Sequence, residues 1–459
     1  MTVSSFRDPG GRLTVDHDRV RRQVFPSGLA NLAAFTHSTT VERHRQSHQI
    51  VGTRVVSESD VVTILEHEKI PFPSYPHEWA PQMLYAAAEL TLSLAEGLAA
   101  EGKGLKDATP QNVLFRGTLP VFVDVLSFEP RNEGDPIWLA SAQFTRTFLL
   151  PLMMNRELGT PLGQVFLTRR DGVDAIEAAR ALPWLRAWRP PFLGLVTLPR
   201  LLSRRVKDSA YRPVSPLSAG AARFVLERHF KRLRKLLRRF EPLAQESKWS
   251  SYADDCPSYT ANQRDSKTAF VAEALKTMRA KNVLDVGANS GEHSLMAAAA
   301  GASVVAIDSD EAVCGRLFLE AAKQNADVLP LAIDFARPSP SVGWRNSEQQ
   351  SFLDRAAGAF DGVMMLAVLH HLLVSDQAPL DDVFEVAAQL TRRWLLIEYI
   401  DPSDAMFRKL ARGRDTLYEW LTREAFVQAA SVRFEIVRTL HLPDSQRSLY
   451  LMSLRQRAG

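Results

Sequence analysis

The sequence predicts an α/β protein. Its C-terminal half is predicted to form a seven-stranded, mostly parallel sheet with an antiparallel last strand, and its N-terminal half is predicted to be α+β. From about residue 270, short apolar runs alternate with helical segments, which is typical of a parallel sheet with helices on both faces. The last two runs are joined only by the turn at Pro443-Asp444-Ser445. This turn leaves no room for a crossover helix, so the two strands must pair antiparallel.

Length and composition indicate a folded protein of several domains. At roughly 150 residues per domain, 459 residues correspond to about three domains. An apolar fraction of 46% and a charged fraction of 24% exclude collagen-like and disordered classes. The two cysteines, Cys256 and Cys314, exclude a disulfide framework and predict a reducing, cytoplasmic location. No run approaches about 18 apolar residues and residues 1–30 lack an apolar core, so neither a membrane span nor a signal peptide is expected.

The basic character of the chain is local. The net charge is +4, yet residues 203–240 alone carry twelve Lys or Arg and two acids, which leaves −6 for the remainder. Nucleic acid is therefore not expected as a partner. Within this segment, residues 220–240 have the apolar period of an amphipathic helix. We interpret it as a linker helix that packs one face and solvates its arginines; an anionic substrate, a membrane surface or nucleic acid remain alternative partners of that face.

The elements of the N-terminal part follow from local patterns. Residues 50–56 and 61–65 read as strands, and Met83 to Ala99 reads as a long helix without a breaker. Residues 113–115 and 121–124 flank a turn at Gly117 and predict a β-hairpin. Residues 137–200 read as helices interrupted by prolines. These patterns predict domains at 1–200 and 249–459, joined by a basic helical linker at 201–248.

The C-terminal part contains the strongest chemical signal. Its predicted strands are residues 282–286, 303–307, 328–332, 361–366, 394–398, 433–440 and 448–454. The first strand runs into Asp285-Val286-Gly287-Ala288-Asn289-Ser290-Gly291, just before a helix. The glycines allow close approach of a ligand and positive φ, and Asn289 is a residue that tolerates the left-handed region. The second strand ends in Asp308, where a carboxylate can accept both ribose hydroxyls of an adenosine cofactor.

Two cofactor classes fit a glycine loop followed by an acid. A dinucleotide site requires Gly-x-Gly-x-x-Gly, whereas this loop is Gly-x-x-x-Gly and opens with Asp285. A carboxylate at that place opposes a pyrophosphate but suits a sulfonium and an amino group. The loop therefore favours S-adenosylmethionine over NAD.

With these motifs in place, residues 250–455 resemble a class I S-adenosylmethionine-dependent methyltransferase, which implies a Rossmann-like sheet. The resemblance implies that the loop residues Asp285, Gly287, Ala288, Asn289 and Gly291 bind the cofactor together with Asp308. Leu331 to Phe335 resembles the segment whose Asp contacts the adenine, which implies cofactor binding by Asp334 and Phe335. Phe360 to Leu372 resembles the fourth strand and its following turn, and adds Ala367 to the predicted cofactor residues.

The same resemblance places His370 and His371 where the fourth strand opens toward the cofactor. Either could accept a proton from an acceptor hydroxyl, so both are predicted catalytic residues; alternatively one packs and the other shapes the pocket. Trp249, Tyr252 and Tyr259 precede the domain and could cap the acceptor or pack as a hinge. No Cys/His spacing indicates a metal site.

The N-terminal half carries a second constellation. Asp107 is followed five residues later by Asn112, and Asp124 ends the next hairpin strand. This spacing resembles the catalytic Asp, metal-binding Asn and metal-binding Asp of protein kinases and aminoglycoside phosphotransferases, which implies an α+β kinase-like domain. Leu105 replaces the family's His, Asp124 is not followed by Phe-Gly, and residues 1–60 lack a glycine-rich loop. We interpret the three residues as a vestigial nucleotide and metal site in a degenerate domain.

The combined arrangement is similar to a group of bacterial two-part methyltransferases that includes a nodulation-associated protein. The segments His67 to Phe72 and Leu105 to Asp107 carry this similarity. We predict O-methylation of a small-molecule acceptor such as a saccharide, a nucleoside or another specialised metabolite. The N-terminal half would recognise the substrate or act as a scaffold. The alternatives are a bifunctional phosphotransferase-methyltransferase and methylation of a recruited protein or carrier; whether the chain forms a homo-oligomer stays open.

Overall fold

The computed structural model describes residues 3–4, 7–16, 19–203, 216–243 and 259–455. Trp249, Tyr252 and Cys256 lie outside the described residues. The chain divides into two compact units. Unit 1 comprises residues 1–243 with 342–349, and unit 2 comprises residues 244–341 with 350–459.

Unit 1 begins with a five-stranded antiparallel sheet in the order β1-β2-β3-β5-β4. Its strands are β1 (Val3–Ser4), β2 (Gly11–Val15), β3 (Val20–Val24), β4 (Thr53–Glu58) and β5 (Thr63–His67). The strand predictions near residues 50–56 and 61–65 are confirmed with small shifts of their ends. The three strands before residue 25 and the helices α1 (Leu29–Thr36) and α2 (Thr39–Gln46) are additional to the prediction.

The rest of unit 1 is mainly helical. The predicted long helix is α3 (Pro81–Ala100), and the predicted hairpin is β7 (Val113–Arg116) with β8 (Leu119–Phe122). A two-stranded ribbon pairs β6 (Lys103–Leu105) with β9 (Phe128–Pro130). Short helices follow: α4 (Ser141–Phe144), α5 (Leu150–Leu158), α6 (Leu162–Thr168), α7 (Ala175–Ala181), α8 (Trp184–Ala187) and α9 (Leu198–Ser203). Two π-helical turns, Thr145–Leu149 and Leu193–Thr197, precede α5 and α9.

The predicted basic helix is α10 (Ala219–Arg239), which belongs to unit 1. The Ser218 hydroxyl accepts a hydrogen bond from the Ala221 amide and caps its N-terminus. Its apolar stripe is buried, and the members of that stripe are Leu226, Phe230, Leu233 and Leu237. Burial of this stripe and exposure of the opposite face follow directly from the 3.6-residue period.

Unit 2 alternates strands and helices as predicted. Its strands are β10 (Asn282–Val286), β11 (Ser303–Asp308), β12 (Val328–Ala332), β13 (Phe360–Met365), β14 (Thr391–Ile400), β15 (Phe434–His441) and β16 (Arg447–Leu454). Its helices are α11 (Ala261–Met278), α12 (Glu292–Ala299), α13 (Glu311–Gln324), α14 (Phe352–Ala356), α15 (Leu369–Val374), α16 (Leu380–Leu390), α17 (Ala405–Ala411) and α18 (Arg423–Ser431).

The seven strands of unit 2 form one sheet in the order β12-β11-β10-β13-β14-β16-β15. The first five are parallel, while β16 pairs antiparallel with both β14 and β15. This confirms the predicted antiparallel last strand. Strand β10 is central, and Val283, Leu284 and Val286 are fully buried because neighbours cover the strand on both edges and both faces.

Among the described helices, none combines the length and the apolar character that crossing a membrane requires.

Candidate functional site

A cavity of about 540 Å³ lies in unit 2 at the carboxyl ends of four neighbouring parallel strands. The last residues of β10 and β11 and the segments that follow all four strands form much of its wall: residues 285–290, 308–309, 333–335 and 366–368. Ligands of open α/β sheets usually bind in the crevice outside the carboxyl ends of the parallel strands. The cavity therefore occupies the expected place for a bound cofactor.

Most of the predicted cofactor residues meet at this cavity. The ones that line it are Asp285, Gly287, Ala288, Asn289, Asp308, Asp334, Phe335 and Ala367. Gly291 lies one residue beyond the lining loop, at the start of α12. The chain thus brings together residues from four separate segments of the sequence.

The loop after β10 has the backbone that its residue types predict. Asn289 adopts φ 46° and Gly291 adopts φ 80°, both in the left-handed region. A Cβ on Gly291 would lie 2.1 Å from Leu317 Cδ1, so a side chain does not fit there. The Gly287 and Ala288 amides donate to the Ile307 carbonyl at 2.9 and 3.0 Å, which ties the loop to β11.

Asp285 is buried at the base of the loop. Its Oδ2 accepts a hydrogen bond of 2.6 Å from the Ser294 hydroxyl of α12. Burial raises the pKa of Asp285 to about 7, and the negative charge of Asp308 adds to the increase, while the Ser294 bond opposes it. A cationic group in the cavity would stabilise the charged carboxylate and lower this pKa.

Asp308 and Asp334 present carboxylates that are already oriented. The Asn289 amide donates to Asp308 Oδ2 and the Asp310 amide donates to Oδ1, each at 3.0 Å. Burial raises the pKa of Asp308 above its usual value. Asp334 lies 2.7 Å from the Arg337 guanidinium, which fixes it on the rim of the cavity. Each carboxylate keeps lone pairs for ligand hydroxyl or amino groups, so the residues fit an adenosine cofactor.

The two predicted catalytic histidines occupy different places. His371 lines the cavity, whereas His370 is not part of its wall and is buried, with neither ring nitrogen bonded to a described residue. Their ring centroids are 4.2 Å apart. Burial lowers the pKa of His371, although the charge of Asp376 partly opposes this, and burial lowers the pKa of His370 strongly. Both imidazoles are therefore neutral near pH 7.

Among the wall residues that sequence reasoning missed are Lys267 and His293. His293 lies in the first turn of α12, and its buried Nδ1 has no partner among the described residues. Burial, followed by the nearby charge of Lys267, lowers the pKa of His293 to about 4. A histidine just after a glycine loop is a signal that could have identified it. Lys267 on α11 gives no comparable signal, since its partner is remote in the sequence.

That partner is Glu398 of β14, which is completely buried. The Lys267 ammonium donates to Glu398 Oε2 at 2.8 Å, and the Tyr259 hydroxyl donates to Oε1 at 2.6 Å. Burial alone would raise the pKa of Glu398, but the Lys267 charge and these hydrogen bonds hold it below its usual value. Burial raises the pKa of Tyr259 to about 12, with a contribution from the charge of Glu398. Tyr259 also lines the cavity, so this network fixes part of its wall.

A larger hollow of about 700 Å³ lies at the other end of the strands, where β10, β11 and β12 begin. Its wall includes Lys281, Ser303 and Asp327, which precede or begin strands. None of the glycine loop borders it. We therefore assign ligand binding to the smaller cavity, where the carboxyl ends of the strands and the oriented carboxylates meet.

In unit 1 the residues of the second predicted constellation also lie close together. The Asn112 amide donates to the Ser127 hydroxyl at 3.2 Å, and that hydroxyl donates to Asp124 Oδ2 at 2.6 Å. Burial raises the pKa of Asp107, and the nearby charge of Asp124 raises it further. The Arg22 guanidinium of β3 lies 3.0 Å from Asp124 Oδ1 and neutralises it. Within the described part of the chain, no group of three or more His, Cys, Asp or Glu has the arrangement of a metal site.

Comparison with known proteins assigns the chemistry of unit 2. Residues 226–434 match the family model described as a methyltransferase domain. The protein is an S-adenosylmethionine-dependent methyltransferase. It is similar to Nodulation protein NoeA of Rhizobium meliloti (strain 1021), with 29% identity over 468 residues, 98% of this chain and 95% of that protein.

Similar solved structures include other methyltransferases. The N-methyltransferase NodS from Bradyrhizobium japonicum WM9, in complex with S-adenosyl-L-homocysteine, is 16% identical with a TM-score of 0.32, over 46% of this chain and 94% of that one. The bifunctional kinase-methyltransferase WbdD is 17% identical with a TM-score of 0.30, over 44% of this chain and 41% of that one.

Proposed function

We propose that the methyltransferase methylates a hydroxyl oxygen of a small molecule, namely a saccharide, a nucleoside or another specialised metabolite. The observation that carries this proposal is the pair of neutral imidazoles, His293 and His371, in the wall of the cavity. A hydroxyl must lose its proton as it becomes a methyl ether, and a neutral imidazole can accept that proton. The name of the Rhizobium meliloti relative associates that protein with nodulation, which is consistent with a specialised acceptor.

In this proposal each group of cofactor residues binds a different part of S-adenosylmethionine. Asp285 and the loop around Gly287 would hold the methionine part, Asp308 the ribose hydroxyls, and Asp334 with Phe335 the adenine. When bound, S-adenosylmethionine supplies an electrophilic methyl group. The protein would hold the acceptor oxygen in line with that methyl group, since alignment provides much of the rate in a transfer to a good nucleophile.

The histidines would then have distinct tasks. His371 reaches the cavity and would accept the hydroxyl proton, while His370 packs behind it at a centroid distance of 4.2 Å. His293, near the Lys267 charge, would shape the wall against which the acceptor lies. Because burial lowers their pKa, both cavity imidazoles are neutral at pH 7.

Product analysis tests the acceptor assignment. The protein would be incubated with S-adenosylmethionine carrying a labelled methyl group and with fractionated saccharides, nucleosides and metabolite extracts. We expect label in a methyl ether, and we expect His371→Ala to lower kcat by about 10² or more with an unchanged KM for the donor. His37→Ala, at an exposed position of unit 1, is the matched control. Label in an N-methyl product or in a protein would refute the proposal.

Proton release on donor binding tests the role of Asp285. A carboxyl with a pKa of about 7 is largely protonated at pH 6, and a cationic ligand beside it favours the ionised form. We therefore expect S-adenosylmethionine binding at pH 6 to release a large fraction of one proton and to strengthen as the pH rises toward 7. Calorimetric titrations in buffers of different ionisation enthalpy measure this release. Asp285→Asn should abolish it; an equal release in that variant would contradict the assignment.

The same carboxyl makes a defined contribution to the pH dependence of stability. Its pKa is raised in the folded state, so between the usual value of 3.8 and about 7 the folded protein binds more protons than the unfolded chain. The free energy of unfolding contributed by Asp285 therefore falls as the pH rises through that window and is constant above it. The Asp285→Asn variant should lack this slope.

For unit 1 we propose a kinase-like domain that no longer transfers phosphate and serves substrate recognition or scaffolding. The Arg22–Asp124 ion pair supports this proposal. The guanidinium lies 3.0 Å from the carboxylate and neutralises its negative charge, which a magnesium ion would neutralise in an active site. Arg22 is itself buried, so the pair is shielded from solvent. A bifunctional phosphotransferase-methyltransferase is the second candidate, because Asp107, Asn112 and Asp124 lie close together.

A calorimetric titration separates these two candidates. Mg·ATP would be added to protein saturated with S-adenosylhomocysteine, and we expect no magnesium-dependent heat at micromolar concentrations. Micromolar binding that disappears in Asp124→Asn would instead establish a nucleotide site and favour the bifunctional candidate.

A further inference from the structure

One face of α10 carries a row of cations, here called the basic stripe. Its members are Arg228, Lys231, Arg232, Lys235 and Arg239, all exposed. At 3.6 residues per turn they fall within an arc of about 100°, opposite the buried apolar stripe of the same helix. The row extends for about 16 Å along the helix at a rise of about 1.5 Å per residue.

The charges of the basic stripe are not neutralised within the described chain. Two other arginines of α10 do have carboxylate partners: Arg223 pairs with Glu227, and Arg234 pairs with Glu89 and Glu96. The five members of the stripe form no ion pair with any described residue. Five like charges on one helical face repel one another, and an anionic surface would offset this cost.

An exposed apolar surface, here called the apolar patch, lies on α8 and α9. Its members are Trp184, Leu185, Trp188, Leu198, Leu201 and Leu202. Trp184 is 73% exposed and Trp188 is 56% exposed, which is unusual for side chains of this size. The Thr197 hydroxyl donates to the Ala187 carbonyl at 2.5 Å, so the end of α8 is joined to the start of α9.

The segment between α8 and α9 links the two features within unit 1. The segment that connects α8 to α9 packs on α10, with the Phe192 and Phe240 ring centroids 6.1 Å apart. A Cβ on Gly194 would lie 3.3 Å from Arg232 Nη2, so a member of the basic stripe touches this segment. Both features thus border the segment that joins α8 to α9.

We propose that the basic stripe and the apolar patch together bind the surface of an anionic phospholipid bilayer. Lys and Arg are attracted to anionic headgroups, and Trp and Leu enter the region between headgroups and acyl chains. Nucleic acid fits this surface less well. Its phosphate backbone attracts the cations, but it offers no apolar environment for the exposed leucines, which would stay in water. Binding at the interface would hold the enzyme next to a membrane.

Vesicle flotation tests the proposal with the full-length protein. The vesicles are phosphatidylcholine alone or with about 30% phosphatidylglycerol, at about 0.1 M salt. We expect flotation only with the anionic vesicles. The triple variant R228E/K231E/K235E should bind at least about tenfold more weakly, and W184A/W188A at least about fivefold more weakly. The triple variant K276E/K323E/K409E carries the same charge change on exposed lysines of unit 2 and should float like the wild type.

Two further measurements make the outcome decisive. Each variant should retain the unfolding midpoint and the S-adenosylhomocysteine affinity of the wild type, which excludes misfolding as the cause of weaker flotation. Absence of flotation by the wild type, or equal flotation by the wild type and both surface variants, would overturn the proposal. Stronger binding to duplex DNA or RNA than to the anionic vesicles, unaffected by W184A/W188A, would overturn it as well and assign the basic stripe to nucleic acid.

Discussion

Replacement of Lys267 by methionine is expected to lower the free energy of unfolding of unit 2 by about 3–5 kcal/mol, because it leaves the carboxylate of Glu398 buried without its charge partner. Glu398 is completely buried, and Lys267 Nζ lies 2.8 Å from its Oε2. Only the Tyr259 hydroxyl would remain as a hydrogen-bond donor to that carboxylate among the contacts of this network. The pKa of Glu398 should rise in the variant, since only the Tyr259 hydrogen bond and the charge of Arg447 then oppose the effect of burial.

Urea unfolding measures this effect without bound ligand. The transition of unit 2 is identified as the one that S-adenosylhomocysteine shifts in the wild type. Lys276→Met removes an exposed lysine of the same helix and should change the free energy of unfolding by less than about 0.5 kcal/mol. The double variant K267M/E398L, which removes both charges, should recover part of the loss. A Lys267→Met variant as stable as the Lys276→Met control would contradict the account of this network.

Replacement of Asp308 by alanine is expected to weaken S-adenosylhomocysteine binding by at least about tenfold, or about 1.4 kcal/mol. The backbone amides of Asn289 and Asp310 fix both carboxylate oxygens, so the side chain is oriented before a ligand arrives. Alanine cannot accept the hydrogen bonds of two ribose hydroxyls, and it also frees two loop amides from their acceptor.

Calorimetry with matched variants distinguishes ligand binding from loop support. Asp308→Asn keeps one acceptor oxygen and should lie between the wild type and alanine. Asp327→Ala removes an exposed acid at the amino end of β12, away from the cavity. This variant should bind S-adenosylhomocysteine with wild-type affinity. Unchanged affinity in Asp308→Ala would remove this residue from the cofactor site.

The parts of the structure that sequence predicted well depend on local chemistry. The sheet of unit 2 follows from the spacing of its apolar runs, and the short turn at residues 443–445 fixes the antiparallel direction of its last strand. Asn289 and Gly291 were predictable because few residue types adopt positive φ. These features depend on single residues or short segments, which a sequence displays directly.

The parts that sequence did not reveal depend on pairs that are remote along the chain. Strand β3 contains Arg21 and Arg22 and reads as polar, yet Arg22 is buried because Asp124 pairs with it. Lys267 likewise reads as a solvated helical lysine, and only the position of β14 brings Glu398 to it. The burial of His370 and the exposure of His371 to the cavity depend on how α15 leaves β13. No local pattern specifies these contacts, because the partners are remote in the sequence and become neighbours only when the chain folds.

Hydrogen exchange with and without saturating S-adenosylhomocysteine tests most directly that the cavity of unit 2 is the cofactor site. We predict slower exchange in the backbone amides of residues 286–291, 308–310 and 333–336, since these three segments form its wall and the loops that support it. Residues 105–127 of unit 1 should exchange at the same rate in both samples. Unchanged exchange in all three segments, or protection confined to residues 105–127, would contradict the account.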